Sequence, residues 1–191
     1  MARIILASGS PRRRDLLAQI GLDFEVVPSN YDEVIEKNLP FGQLVCKLAE
    51  HKVMDVAKKY TGGIIIGADT IVVLDNKILG KPSSKKEAMD MLSMLSGQWH
   101  SVFTGLFVLD AKSGKSQKDY EESRVKFKEI SPREIENYVN TGEPLDKAGA
   151  YGIQEKGALL VEKIEGCYYN IVGLPLFKLS LILANFGINL L

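Results

Sequence analysis

The stretch that most restricts the fold is Arg3-Ile4-Ile5-Leu6-Ala7-Ser8-Gly9-Ser10-Pro11-Arg12-Arg13-Arg14-Asp15-Leu16-Leu17. Its apolar start reads as a short buried strand, Ala7 to Gly9 as a small-residue loop, and Ser10-Pro11 as the N-cap and first position of a helix. Leu16, Leu17 and Ile20 give that helix an apolar face, and Gly21 supplies its terminator. Three arginines in a first helical turn need a reason, because unpaired N–H groups and the positive end of the helix dipole disfavour cations there. A bound anion removes the conflict: backbone donors, dipole and guanidinium forks would converge on one site, and phosphate suits that combination. Solvated arginines paired with surface carboxylates are the plainer alternative. The position of the run, directly after a strand in a Gly/Ser loop, favours the anion.

Charge then limits what the anion can be part of. Lys+Arg 24 balances Asp+Glu 24, so no global field draws the chain to nucleic acid or to an anionic membrane, and any basic site is local. With 191 residues, 46% hydrophobic and 25% charged, the chain fits one soluble globular domain over residues 1–191, with or without a lobe-like insertion. Cys46 and Cys167 form no CxxC pair and read as reduced, which fits a cytoplasmic protein. Neither a leader nor an apolar run of membrane-spanning length is legible. His51 and His100 lack zinc-ligand spacing, and there is no G-x-S-x-G elbow for a serine triad.

Further along, residues 24–28 read as a strand feeding a loop with adjacent acids Asp32 and Glu33. Residues 41–60 form an amphipathic helix with Val45, Leu48, Ala49, Val53, Val56 and Tyr60 on one face. Lys52 falls inside that face, so it either snorkels outward or reaches inward to an anion. The run from Ile64 is continuous enough for a strand buried on both faces, interrupted at Asp69-Thr70. A carboxylate there is costly to bury unless it meets a metal, a cation or several donors, so Asp69 is a candidate site residue. If Asp69 is an uncompensated buried charge, Asp69→Asn should leave stability unchanged or raised. Asp75-Asn76-Lys77 reads as a hairpin turn returning toward Gly80-Lys81-Pro82, with Lys81 brought back near Asp69. Ser84 to Glu87 and Ser131 to Glu134 are capping-box patterns opening two more helices. Strand patterns follow over residues 99–109, 123–128 and 161–164, and residues 175–186 read as a buried helix. Interleaved strands and helices place the chain in the α/β class.

Taken together, Ala7-Ser8-Gly9-Ser10-Pro11-Arg12-Arg13, Gly67-Ala68-Asp69-Thr70, Gly80-Lys81-Pro82, Ser96-Gly97 with His100 and Thr104-Gly105, and Asp146-Lys147-Ala148-Gly149 through Gln154 closely resemble the Maf family of nucleotide pyrophosphatases. The resemblance runs in the family's order over essentially the whole chain. It implies an α/β fold with a mixed central sheet in two lobes around a cleft, similar to the inosine triphosphate pyrophosphatases. It also implies hydrolysis of nucleoside triphosphates to the monophosphate and pyrophosphate with a divalent cation, Mg²⁺, Mn²⁺ or Co²⁺. Carried over by position, it makes Ser8, Arg12, Lys52 and Lys81 phosphate-binding residues. Asp69 and Glu33 become the catalytic carboxylates and metal ligands. Arg13, Thr70 and Gln154 match the base-selecting positions of the branch that takes dTTP and UTP, with modified pyrimidine nucleotides as further candidates.

Phosphoanhydride hydrolysis needs charge neutralisation and an in-line water, which cations and one carboxylate can supply, and Gln154 offers both a donor and an acceptor to a pyrimidine edge. The expected partner is a nucleoside triphosphate, with no nucleic acid and no membrane, and with room for a homodimer. A non-catalytic nucleotide-binding regulator of septum formation is the rival function. Asp69 separates the two, since a pure binder gains nothing from a buried carboxylate beside a triphosphate unless it holds a metal.

Overall fold

A computed structural model describes residues 3–32, 36 and 38–191. Among these, seven strands form one mixed sheet. They are β1 (Ile4–Leu6), β2 (Glu25–Val26), β3 (Ile64–Leu74), β4 (Lys77–Leu79), β5 (Trp99–Asp110), β6 (Ser116–Phe127) and β7 (Val161–Glu165). Their order is β2-β1-β3-β5-β6-β7, with β4 paired to β3. β1 runs parallel to both neighbours, in register Leu6↔Val26 and Leu6↔Ile66. The β3–β4 and β6–β7 pairs are antiparallel. Helices α1 (Pro11–Gln19), α2 (Phe41–Ala57), α3 (Lys85–Leu95), α4 (Pro132–Asn140), α5 (Tyr168–Val172) and α6 (Leu176–Ala184) are interleaved with them, so the α/β class and the mixed sheet are both present.

The chain divides into two compact units, one made of Met1–Asp69, Thr104–Glu121 and Gly173–Leu191, the other of Thr70–Phe103 and Glu122–Val172. β3, β5 and β6 each give one part to the first unit and the rest to the second. In the first unit, Ile5, Ala7, Ala49, Val53, Val56, Ile65, Phe107 and Leu109 form a fully apolar core between α2 and the sheet. Two glycines set how closely that helix lies. A Cβ on Gly67 would come 2.4 Å from Val53 Cγ2, and one on Gly105 would come 2.3 Å from the backbone of Val45. In the second unit, α3 packs on α4, burying Leu92, Leu95, Ile135 and Val139.

Several expectations are corrected. Ser10 occupies the N-cap of α1 but makes no side-chain cap bond; its carbonyl accepts from Arg14 N–H instead. The strand expected over 24–28 shrinks to two residues at the sheet margin, with Val26 exposed. α2 ends at Ala57, leaving Tyr60 beyond the helix. Asp69-Thr70 does not interrupt β3, which is continuous through both. The C-terminal helix is not buried all round, for Phe177 and Leu181 face outward at helical spacing. A five-residue helix, α5, precedes it; Asn170 there donates to Val102 O and Ser123 Oγ. The Asp75-Asn76 turn is as expected, with left-handed φ of 47° and 63°, the primed geometry of a two-residue hairpin.

Candidate active site

In the first unit, β1 and β3 carry the site as parallel neighbours. Ala7 N–H donates to Ile66 O, so the loop leaving β1 begins beside the segment of β3 that continues to Asp69. Ser8 is buried at 6% exposure. Its Oγ accepts from Ser10 N–H at 3.2 Å and from the Arg13 guanidinium at 3.2 Å. Arg13 is held a second time, donating from Nε to Gly173 O at 2.9 Å. That fork braces the loop at the start of α1, so the arginine expected to select a base is engaged with its own protein. Arg12 is half-buried one position earlier, and Arg14 pairs with Asp15 at the surface.

Asp69 sits two residues after Gly67 on the same face of β3, the face covered by α2. Because Gly67 has no side chain, Val53 settles directly on the strand, and the preceding Lys52 points inward. Its Nζ donates to Asp69 Oδ1 in a buried ion pair, the two side chains 14% and 7% exposed. Of the two readings of Lys52, the inward one is observed, and the anion it meets is Asp69. Glu33, expected to assist Asp69, lies outside the described residues. Before it in the chain, Ser29 and Asn30 both donate to Asp55 Oδ2; those bonds, the Asn30 N–H first, hold the Asp55 carboxyl below its ordinary value.

Thr70, Lys81 and Gln154 belong to the second unit. The β3–β4 ladder pairs Val72 with Leu79, two residues short of Thr70 and of Lys81. Gly149 lies against Val72, where a Cβ would come within 3.0 Å, and donates its N–H to Gly80 O at 3.0 Å. One segment thus links the strand bearing Thr70, the turn bearing Lys81 and the loop bearing Gln154. Beneath that loop His100 Nε2 is 2.8 Å from Tyr151 OH, with Phe127 edge-on to both rings. Burial lowers the His100 pKa to about 4 and raises that of Tyr151, so the histidine is a neutral strut there. Lys147 is likewise structural, its Nζ donating to Glu143 O and to Asp146 Oδ1.

The model of the Maf-like protein family matches residues 3–186, nearly the whole chain. The chain belongs to the Maf family. Its Maf relatives include the dTTP/UTP pyrophosphatase of Acetivibrio thermocellus, 53% identical with 100% of this chain and 98% of the relative covered. That of Desulforamulus reducens is 50% identical over the full length of both. Among solved structures, a nucleoside-triphosphatase / dITP/XTP pyrophosphatase of Mycobacterium abscessus aligns over 67% of this chain and 75% of its own at 14% identity and a TM-score of 0.42, too slight a likeness to fix a fold.

The described residues to which the Maf resemblance gives roles divide between the two units. Ser8 with Arg13, and Lys52 with Asp69, are brought into contact within the first unit. In the second, Gly149 bonds Gly80, the residue before Lys81, and packs on Val72 of the strand that carries Thr70, while Gln154 lies in the loop beyond it. Two polar residues of this region, Tyr138 and Glu143, belong to no motif legible in the sequence. Both bond the ends of the Gln154 loop. The only sequence signal was the pair of glycines, Gly152 and Gly157, that brackets it.

Proposed function

We propose that this Maf-family chain hydrolyses dTTP and UTP to the nucleoside monophosphate and pyrophosphate, with modified pyrimidine nucleotides as further substrates, and that both units serve a single Maf-like domain. The observation that carries the proposal is the buried Lys52–Asp69 pair. A chain that only held a nucleotide would be served by the lysine alone, whereas hydrolysis also needs a carboxylate beside the phosphates. In the proposed reaction a water oxygen attacks the α-phosphorus in line with its bond to the β-phosphoryl bridge. That bond breaks, pyrophosphate leaves, and the water's proton passes to Asp69 or Glu33. Ser8, Arg12 and the N-terminus of α1 hold phosphate oxygens, and Lys81 adds a positive charge. Lys52 has three N–H donors, so it can keep Asp69 and still meet a phosphate oxygen. Gln154 and Thr70 face the base, and Arg13 supports that selection by fixing the Ser8 loop.

A divalent cation fits the donor set. Among the described residues no three His, Cys, Asp or Glu gather into a metal cage. Mg²⁺ and Mn²⁺ do not require one, since they take one or two carboxylates and draw the rest from phosphates and water. Asp69 and Glu33 would hold the ion, which when bound neutralises charge on the phosphates. The cytoplasmic setting belongs to the same proposal and is supported by two free cysteines, Cys46 and Cys167. No helix among the described residues is long and apolar enough to cross a membrane.

The decisive measurement is product analysis with dTTP and UTP in the presence of Mg²⁺, Mn²⁺ or Co²⁺. Stoichiometric monophosphate and pyrophosphate, abolished by chelation, is the expected result. Tight nucleotide binding with no monophosphate under any of the three cations would instead establish the non-catalytic regulator.

A further inference from the structure

Gln154 stands exposed in a loop whose two ends are pinched together. A Cβ on Gly157 would lie 1.9 Å from Gly152 O and 2.7 Å from the Tyr138 hydroxyl, so no other residue fits the neck. Glu143 is the hub of the closure. Its Oε1 accepts from Tyr138 OH at 2.9 Å and from Gly157 N–H at 3.1 Å, and its Oε2 accepts from Lys156 N–H at 3.3 Å. The Tyr138 hydroxyl accepts in turn from Gly152 N–H at 3.2 Å. Three backbone amides around Gln154 therefore end on one carboxylate and one phenol. Within the loop Ile153 is buried, and Glu155 is held at a φ of 54°, a left-handed conformation that a non-glycine residue keeps only when its surroundings impose it.

A surface turn does not need such a device, because water satisfies exposed amides. Recognition of a base edge does. A uracil or thymine edge presents an acceptor beside a donor, and a cytosine edge presents them exchanged. A carboxamide free to rotate matches either, since its own oxygen and nitrogen swap on flipping. Discrimination requires that the loop hold the amide in one place, to within the narrow range of hydrogen-bond geometry.

We propose that Glu143 and Tyr138 are positioning residues for base selection, holding the 152–157 loop so that the Gln154 carboxamide is presented in one orientation. They act without touching the nucleotide. Tyr138 is well placed for this, buried at 5% exposure on α4, whose start is fixed by the reciprocal Ser131–Glu134 capping box. The proposal rests on the reading of Gln154 as the base-facing side chain.

The test compares kcat/KM for dTTP and dCTP, by pyrophosphate release, in Tyr138→Phe, Glu143→Gln and Gln154→Ala, with melting temperature taken on each. Tyr138→Phe removes one oxygen and is expected to lower the dTTP-over-dCTP ratio on the order of five- to tenfold, the effect of one lost hydrogen bond, mainly through KM. Glu143→Gln sets an amide NH₂ against the backbone N–H groups and should lower it further. In a Gln154→Ala background, adding Tyr138→Phe should change the ratio no more, because the effect passes through Gln154. An unchanged ratio in folded Tyr138→Phe overturns the proposal, as does a Tyr138→Phe effect that persists undiminished without Gln154. If Gln154→Ala itself keeps the wild-type ratio, the base-facing role of Gln154 fails, and that failure is read from a different variant. Should Glu143→Gln not fold, Tyr138→Phe decides alone.

Discussion

Asp69 and Lys52 owe their behaviour to each other. From sequence, amidation of Asp69 would be neutral or stabilising if its carboxylate were an uncompensated buried charge. The ion pair reverses that, because removing one partner leaves the other desolvated and uncompensated. Asp69→Asn and Lys52→Met should each destabilise the protein by about 2–4 kcal/mol, the lower end reflecting the residual exposure of Lys52. Both should also reduce turnover by roughly a hundredfold or more, since the proposed reaction uses each of them beside the phosphates. The double variant Lys52→Met with Asp69→Leu separates the two effects: it should recover most of the stability and none of the activity. Chemical denaturation and pyrophosphate release on the same preparations measure this. A double variant no more stable than the singles would mean that the pair contributes nothing as a pair.

At the scale of elements, Gly67 decides whether that pair can form. It sits where α2 crosses β3, and a methyl group there would meet Val53 Cγ2 at 2.4 Å and the backbone oxygen of Ala49 at 2.9 Å. The backbone oxygen cannot swing away as a side chain can, so α2 must move outward. Gly67→Ala is expected to cost about 2–3 kcal/mol by overpacking. It should also lower kcat/KM by about tenfold or more through misplacement of Lys52. Wild-type catalysis in a destabilised Gly67→Ala protein would show that the helix position does not govern the site. The sequence made α2 legible through its apolar spacing, and Ser131 to Glu134 gave α4 its start, because such signals are local. It left the contact of Gly67 with Val53 illegible, as that pairing depends on how a helix and a strand meet. α5 was missed for a related reason: five residues carry too little periodicity, and Asn170 is held by Val102 and Ser123, far away in sequence.

For the whole molecule the question is whether the two units unfold separately. Domains that do so are usually joined by one or two exposed linkers. Here the chain passes from the first unit to the second inside strands: β3 between Asp69 and Thr70, β5 between Phe103 and Thr104, and β6 between Glu121 and Glu122. Each unit is assembled from separate stretches of sequence, so unfolding either one frays three strands within the other's ladders. That topology was not readable from composition or periodicity, which show no linker and no composition shift at Asp69, and it predicts a single cooperative transition. Two probes report on the units individually. Trp99, the single tryptophan, lies in the second unit, with the Arg124 guanidinium 4.7 Å from the centre of its ring. Cys46 lies in the first unit, buried, with Sγ donating to Asp119 O and burial raising its pKa to about 11, so its thiol is unreactive until the unit opens. In a Cys167→Ser protein, urea titration followed by Trp99 fluorescence and by the rate of Cys46 labelling should give one midpoint and one slope. Labelling of Cys46 at urea concentrations where Trp99 fluorescence is still native would mean that the first unit opens alone, and that three shared strands are not enough to couple them.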